Sequence, residues 1–468
     1  MVPIAGRDRL PAGNTAALDK LWGSLKSAPR DAKGGRRRMG RKKSLGVAAC
    51  TAIVAGNMVG SGFYLSPVAV APYGNLAILA WIVMGAGAIC LGLTFAKLAS
   101  LAPGTGGPYA YTRMAYGDFA GFLIAWGYWI SIWTSLPVIA IAFAGAVMDL
   151  FPGLHNRPMA AALTLGAIWA VVLVNLRGVK AAGIFSEVTT YTKLVPFAGI
   201  ILFGLFFVDL SHFSEFNPSG KSLLDSGAAL APLTMFAYLG LESATVPAGD
   251  VIDPKRTIPR STIIGITIAA LLYVLGTVAV MGLVPRERLL TSVAPFSDAA
   301  RVLWGQWGAT AISVAVILSA IGALNGWTLL MGQVPMAAAG DRLFPSLFGQ
   351  LSRRGVPAAG IVVSAVFATV LVLTQAVGSS GFSAFYKLVV GLSTMAAVIP
   401  YAFCSLATGL VAQQAAGGGR IPRPTAIELV AFVFAMFTLY GCGAEPVLYG
   451  LVLLMLGIPV FVWQRRHA

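Results

Sequence analysis

The stretch VAGNMVGSGFYLSP, Val54–Pro67, places three glycines in the middle of the first long apolar segment of the chain. Gly56, Gly60 and Gly62 crowd around Asn57 and Ser61. A glycine inside a helix costs about 1 kcal/mol relative to alanine. Backbone that leaves a helix in hydrocarbon strands its polar groups unless protein, water or ligand satisfies them. The stretch therefore predicts a discontinuous helix at a functional cavity. The competing reading is close helix packing by small residues, and a single GxG among 54 glycines decides little by itself.

The surroundings set the class. Of 468 residues, 57% are hydrophobic and 11% charged, against about 25% charged in an average soluble domain. Apolar stretches long enough to cross a bilayer core recur to the end of the chain. The short alternating segments of a membrane β-barrel are absent. The reading is an all-α polytopic membrane protein with twelve transmembrane helices at 45–70, 75–100, 118–149, 159–176, 185–208, 227–250, 260–284, 307–336, 356–377, 382–412, 425–442 and 446–463.

The formal charge of +16 would suggest nucleic-acid binding in a soluble protein, but its location says otherwise. Twelve of the 33 Lys and Arg lie in residues 1–43, directly before the first span. Such a cluster anchors to the cytoplasmic leaflet and sets orientation. With both termini inside, 26 Lys and Arg fall in the cytoplasmic tail, loops and end, and 5 in outer loops. No nucleic-acid partner is expected; membrane lipids are. The tail reads as largely disordered. Cys50, Cys90, Cys404 and Cys442 lack CxxC spacing and read as small apolar residues. No metal or cofactor site is legible.

The sixth span repeats the anomaly of the first. PLTMFAYLGLESATVPAG, residues 232–249, is interrupted by small and polar residues and carries Pro247 beyond the break, as Pro67 follows the first. Interrupted spans five apart point to a 5+5 inverted repeat whose broken helices hold substrate. The divisions are a tail over 1–43, a first repeat over 44–208, a second over 209–414, and two further spans over 415–468.

At the first break, Gly60, Ser61 and Gly62 would present amides and the positive end of a half-helix dipole to a carboxylate. Glu242, mid-span, is costly in hydrocarbon and marks function by default. It is a candidate proton-linked switch or partner of a cation, the alternative being a structural acid bonded to nearby backbone. Glu187, Asp250, Asp253 and Asp341 sit at span ends, where solvation suffices. Trp327, Tyr128, Trp129, Phe236 and Tyr238 could stack a cation or gate a cavity, although core packing is the commoner role. Trp81 and Trp463, near span ends, read as interfacial belt residues.

GNMVGSGFYLSP, GGPYAYTRMAYG, FAYLGLESATVPAGDVIDPKRTIPRSTIIG, APFSDAAR and GWTLLMGQ, collinear over about 44–415, resemble the amino acid–polyamine–organocation superfamily. More narrowly they resemble its bacterial basic amino acid/polyamine antiporters, such as the arginine/agmatine and putrescine/ornithine exchangers. The resemblance implies a LeuT-type fold with discontinuous helices 1 and 6, and a homodimer. By position, it implies that Ser61 and Gly62 hold the substrate carboxylate. Carbonyls at Asn57–Met58 and Phe236–Leu239 would take the amino group, Trp327 would stack on the side chain, and Ser393 would complete the pocket. Tyr128 would act in a cytoplasm-side gate and Glu242 as the proton-sensing acid. Phe236 stands where the arginine exchanger has a gating tryptophan, and Leu136 where it has an asparagine on the guanidinium, flanked by Ser131 and Ile132. Losing an amide removes a directional partner for guanidinium, so the pocket reads as more apolar.

The expected activity is secondary transport, not enzymology: exchange of a basic amino acid of the arginine/ornithine/lysine type for its decarboxylated amine across the bacterial inner membrane. The alternative is proton-coupled uptake or exchange of neutral amino acids. A channel would show rings of filter residues or like charge, and an intramembrane enzyme would need a His, Ser or metal cluster within the spans; neither pattern is present.

Overall fold

A backbone in hydrocarbon must satisfy its own hydrogen bonds, which long apolar runs achieve as helices. The computed structural model describes residues 45–102, 107–177, 197–213, 215–245, 251–377 and 382–467. The basic tail, most of the fifth expected span, the Ser61 side chain, Glu187, Pro247 and Asp250 lie outside the described residues.

The helices are α1 (Val47–Met58), α2 (Leu76–Leu101), α3 (Pro108–Tyr116), α4 (Asp118–Leu150), α5 (Arg157–Leu176), α6 (Phe197–Phe207), α7 (Leu223–Tyr238), α8 (Pro254–Leu283), α9 (Pro295–Gly340), α10 (Ala358–Val377), α11 (Phe382–Ala415), α12 (Ala426–Gly441), α13 (Ala444–Met455) and α14 (Gly457–His467). Among the described residues, eight helical segments are long and apolar enough to cross a membrane, and four more are apolar but shorter. There is no strand among them, only a parallel bridge between Leu45 and Val251.

Most expected spans coincide with helices. The seventh begins earlier, at Pro254, because proline fits the first position of a helix, where no amide donor is needed. The eighth is longer at both ends and bends at Gly305, whose φ of 65° interrupts α9. The twelfth is split at Leu456 into α13 and α14.

Of the eight long apolar helical segments, α4 is the most deeply buried. Its most apolar window is 89% buried, as expected of a helix that is apolar on every face. It packs against α9 and α11. Trp81 corrects an expectation: it is fully buried rather than interfacial. Its ring meets Phe63 edge-on at 6.0 Å and Tyr273 at 5.0 Å. Proximity to a span end did not reveal that α2 turns this face inward. Trp463, by contrast, is 52% exposed.

Ion pairs sit at both ends of α4. At its start, Arg113 of α3 bonds Asp118 at 2.7 Å and Asp341, beyond α9, at 3.2 Å. Arg465 of α14 also pairs with Asp118. Asp118 holds the Arg113 guanidinium proton more firmly than usual, and burial pushes the neighbouring Tyr109 phenol above its ordinary range. At the other end, Arg301 of α9 bridges Asp149 at 2.8 Å and Asp298 at 2.7 Å. Lys97 of α2 meets Glu428 at 2.6 Å, where Glu428 also completes a capping box with Thr425.

Candidate functional site

The first break falls inside the glycine-rich stretch. α1 ends at Met58; Val59 (φ −72°, ψ 88°) and Gly60 (φ −138°, ψ −166°) are non-helical, and the helix resumes over Ser61–Tyr64. The first amides of the resumed helix have no acceptor in their own helix, and the last carbonyls of α1 have no donor in theirs. The break thus puts partial positive and partial negative charge side by side.

The second break faces it. α7 ends at Tyr238, Leu239 is extended, and Gly240 has φ +95°, a left-handed conformation suited to glycine. A short 3₁₀ turn follows over Ser243–Thr245. The two breaks are joined directly: Asn57 Nδ2 donates to Ser243 Oγ at 2.9 Å, and Ser243 Oγ donates in turn to the Gly240 carbonyl. Tyr273 of α8 lies against both, with its hydroxyl 2.6 Å from the Met58 carbonyl and 2.9 Å from that of Ala237.

One cavity lies between them. It is lined by Asn57, Met58, Gly60, Gly62, Ile139, Phe236, Ala237, Leu239, Ala323 and Trp327. Its free space is about 20 Å³, room for roughly one water, so an amino acid enters only after the walls move apart. Phe236 lies over Gly62: a Cβ there would come within 2.7 Å of the ring. A Cβ on Gly60 would meet the Ala323 methyl at 3.7 Å and the Met58 carbonyl at 3.9 Å, both ordinary contacts. The close approach therefore belongs to Gly62.

Seven expected residues meet at this cavity: Asn57, Met58, Gly60, Gly62, Phe236, Leu239 and Trp327. Ser131, Leu136 and Ser393 do not line it. Ser393 Oγ lies 2.6 Å from Ser135 Oγ and donates to the Ser131 carbonyl at 3.0 Å, which ties α11 to α4. Leu136 is wholly buried, and Ile139, about one turn further along α4, faces the cavity instead. Counting along a helix finds the right region, but which residue points inward depends on helix rotation.

Glu242 sits just beyond the second break and is 1% exposed. Both carboxylate oxygens are occupied: Tyr128 of α4 donates to Oε1 at 2.5 Å, and Tyr401 of α11 to Oε2 at 2.6 Å. Among the described residues no Lys or Arg pairs with it. These two hydroxyl bonds tie the second break to two different helices. Tyr401 and Tyr273 were not anticipated. Each is a single tyrosine in an apolar span, with no local pattern to set it apart. Among the described residues no group of His, Cys, Asp and Glu could hold a metal. The cavity thus offers helix-end groups of both signs and aromatic faces to a ligand.

Comparison with known proteins bears on the same features. Residues 45–461 match the amino acid permease family. The chain is 27% identical over 440 residues to the putrescine transporter PotE of Escherichia coli K12, covering 91% of this chain and 99% of that protein. It is 30% identical over 371 residues to the cadaverine/lysine antiporter of the same organism, covering 78% and 82%. The putrescine transporter PotE of Haemophilus influenzae is 27% identical over 421 residues. With two facing helix breaks around one cavity and a family match over nearly all described residues, this chain belongs to the amino acid permease family of the amino acid–polyamine–organocation superfamily.

Proposed function

We propose that this protein is an antiporter exchanging a basic amino acid for an amine, its decarboxylated counterpart, across the bacterial inner membrane by alternating access. The observation that carries this reading is the meeting of both helix breaks at one cavity, in a chain whose relatives are a putrescine transporter and a cadaverine/lysine antiporter. We read twelve spans in a LeuT-type 5+5 repeat, over 44–208 and 209–414, followed by two more. The eight long and four shorter apolar helices and the positions of the two breaks support this. The charge pattern supports cytoplasmic termini, and the family resemblance supports a homodimer.

In this reading the amides from Gly60 to Gly62 receive the carboxylate and carbonyls near Asn57, Met58, Phe236 and Leu239 receive an ammonium. Trp327 and Phe236 cover the side chain. Tyr128, Glu242 and Tyr401 form a latch that keeps the second break against α4 and α11. Ser131 and Ser393 act behind the cavity rather than on substrate. A second reading, transport of neutral amino acids, is favoured by Ile139, Ala323 and Leu239, which offer no charge or amide to a distal cation.

Counterflow in proteoliposomes tests both. Labelled lysine, ornithine, arginine, cadaverine, putrescine, agmatine and leucine are each offered against every trapped species. The basic exchange reading expects amino acid uptake driven by trapped amine, and Trp327→Ala should reduce it at least tenfold. Uptake restricted to neutral pairs favours the second reading; conductive flux without trapped substrate overturns both.

A further inference from the structure

Tyr273 is fully buried on α8 and does not line the cavity, yet its hydroxyl reaches the ends of both interrupted helices. It lies 2.6 Å from the carbonyl of Met58, the last residue of α1, and 2.9 Å from that of Ala237, in the last turn of α7. Carbonyls in a last helical turn lack donors in their own helix. Both belong to residues that line the cavity.

The hydroxyl is held from behind. The Tyr273 ring packs at 4.8 Å from Phe63, 5.0 Å from Trp81 and 5.2 Å from Tyr238. Aromatic packing therefore sets where the oxygen sits. A phenol has one hydrogen to share between two carbonyls, whereas an ammonium brings three donors. The cavity beside these carbonyls has room for about one water.

We propose that Tyr273 is a positioning residue that clamps the two breaks together and competes with the substrate's ammonium for their carbonyls. Resting on the substrate-site reading above, this sets the clamped, narrow cavity against the open, loaded one. A residue that stabilises the closed state lowers apparent affinity in proportion to the population it removes from the open state. Deleting the hydroxyl should therefore tighten binding, whereas loss of a merely structural bond would weaken it.

Opening of the empty site is measured without any substrate. Ala323→Cys places a thiol on the cavity wall in a chain whose four native cysteines are replaced. Its alkylation by N-ethylmaleimide is timed in the full-length protein in liposomes. Adding Tyr273→Phe should speed alkylation three- to tenfold. Tyr238→Phe is the control: its hydroxyl, another buried phenol of the same cluster, bonds the Trp81 carbonyl at 3.1 Å and touches neither break. It should leave the rate unchanged. Equal rates in Tyr273→Phe and its parent, or equal acceleration by Tyr238→Phe, overturn the clamp. The dissociation constants of labelled lysine and putrescine should also fall three- to tenfold in Tyr273→Phe, and a rise or no change overturns it. If neither compound binds any of these proteins, the substrate reading fails, while the alkylation rates still decide the clamp.

Discussion

Asn57 and Ser243, 186 positions apart in the chain, are joined by a 2.9 Å hydrogen bond that runs from one helix break to the other. The Asn57 amide supplies the donor, and the Ser243 hydroxyl passes its own hydrogen to Gly240. This short relay fixes the register of the two breaks on either side of the cavity. Asn57→Ala should raise KM for exchange about three- to tenfold, in line with a net hydrogen-bond value of about 0.5–1.5 kcal/mol. Ser243→Ala should match it, and the double variant should add little, because both remove one link. A double variant with the summed effect of the singles would show that the two residues act separately. Initial rates of counterflow give all four values.

The two glycines of the first break should respond differently. Gly62→Ala drives a methyl into the Phe236 ring, an overpacking that typically costs about 1–3 kcal/mol. Exchange should fall at least tenfold, and melting in detergent should come at a lower temperature. Gly60→Ala has room and an ordinary φ, so its rate should stay within about threefold of the parent, since a methyl in van der Waals contact adds little strain. Equal loss in both would contradict the assignment of the close approach to Gly62.

Glu242→Gln keeps the shape of the side chain and turns one of the two oxygens that accept from Tyr128 and Tyr401 into an amide donor. A buried donor left without an acceptor costs about 1–3 kcal/mol, so the latch should weaken and exchange should slow at least fivefold while the protein still folds. Tyr401→Phe, which removes one of the two bonds, should give a smaller loss than Glu242→Gln. Rates are read by counterflow, and folding by size-exclusion profile. Full activity in both variants would exclude the latch.

On α4, Ile139 and Leu136 separate site from scaffold. Ile139→Val removes one methylene from the cavity wall and should shift the ratio of KM values for lysine and leucine by about twofold or more, since a methylene in an apolar pocket is worth roughly 1–3 kcal/mol. Leu136→Ala should instead destabilise the protein by about 2–5 kcal/mol, as buried leucine truncations do, and leave the KM ratio unaltered. The reverse pattern would return Leu136 to the cavity.

Much of this site was legible in the chain. Val54–Pro67 and the residues after Pro232 each carry a local contradiction, poor helix formers within a span, and a break needs no distant partner to be recognised. Glu242 was legible for the same reason, as a lone acid among apolar neighbours. Leu136, Ser131 and Ser393 were placed at the cavity by counting from Tyr128 and by resemblance. None of the three lines it; the Ser393 hydroxyl instead meets the Ser135 hydroxyl and the Ser131 carbonyl. Trp81 was misplaced because a tryptophan near a span end looks the same whether it faces lipid or a neighbouring helix.

The sequence by itself determined the class of the protein and the two places where its apolar helices come apart. These follow from hydropathy and helix propensity, which act over a few turns. Only the tertiary structure decided what fills the space between the breaks. Tyr273, Tyr401 and Ile139 sit in unremarkable apolar surroundings along the chain and acquire their roles through the packing of α4, α8 and α11 against the broken helices. A hydrogen bond between residues so far apart depends on helix rotation and aromatic packing, and no local pattern encodes either.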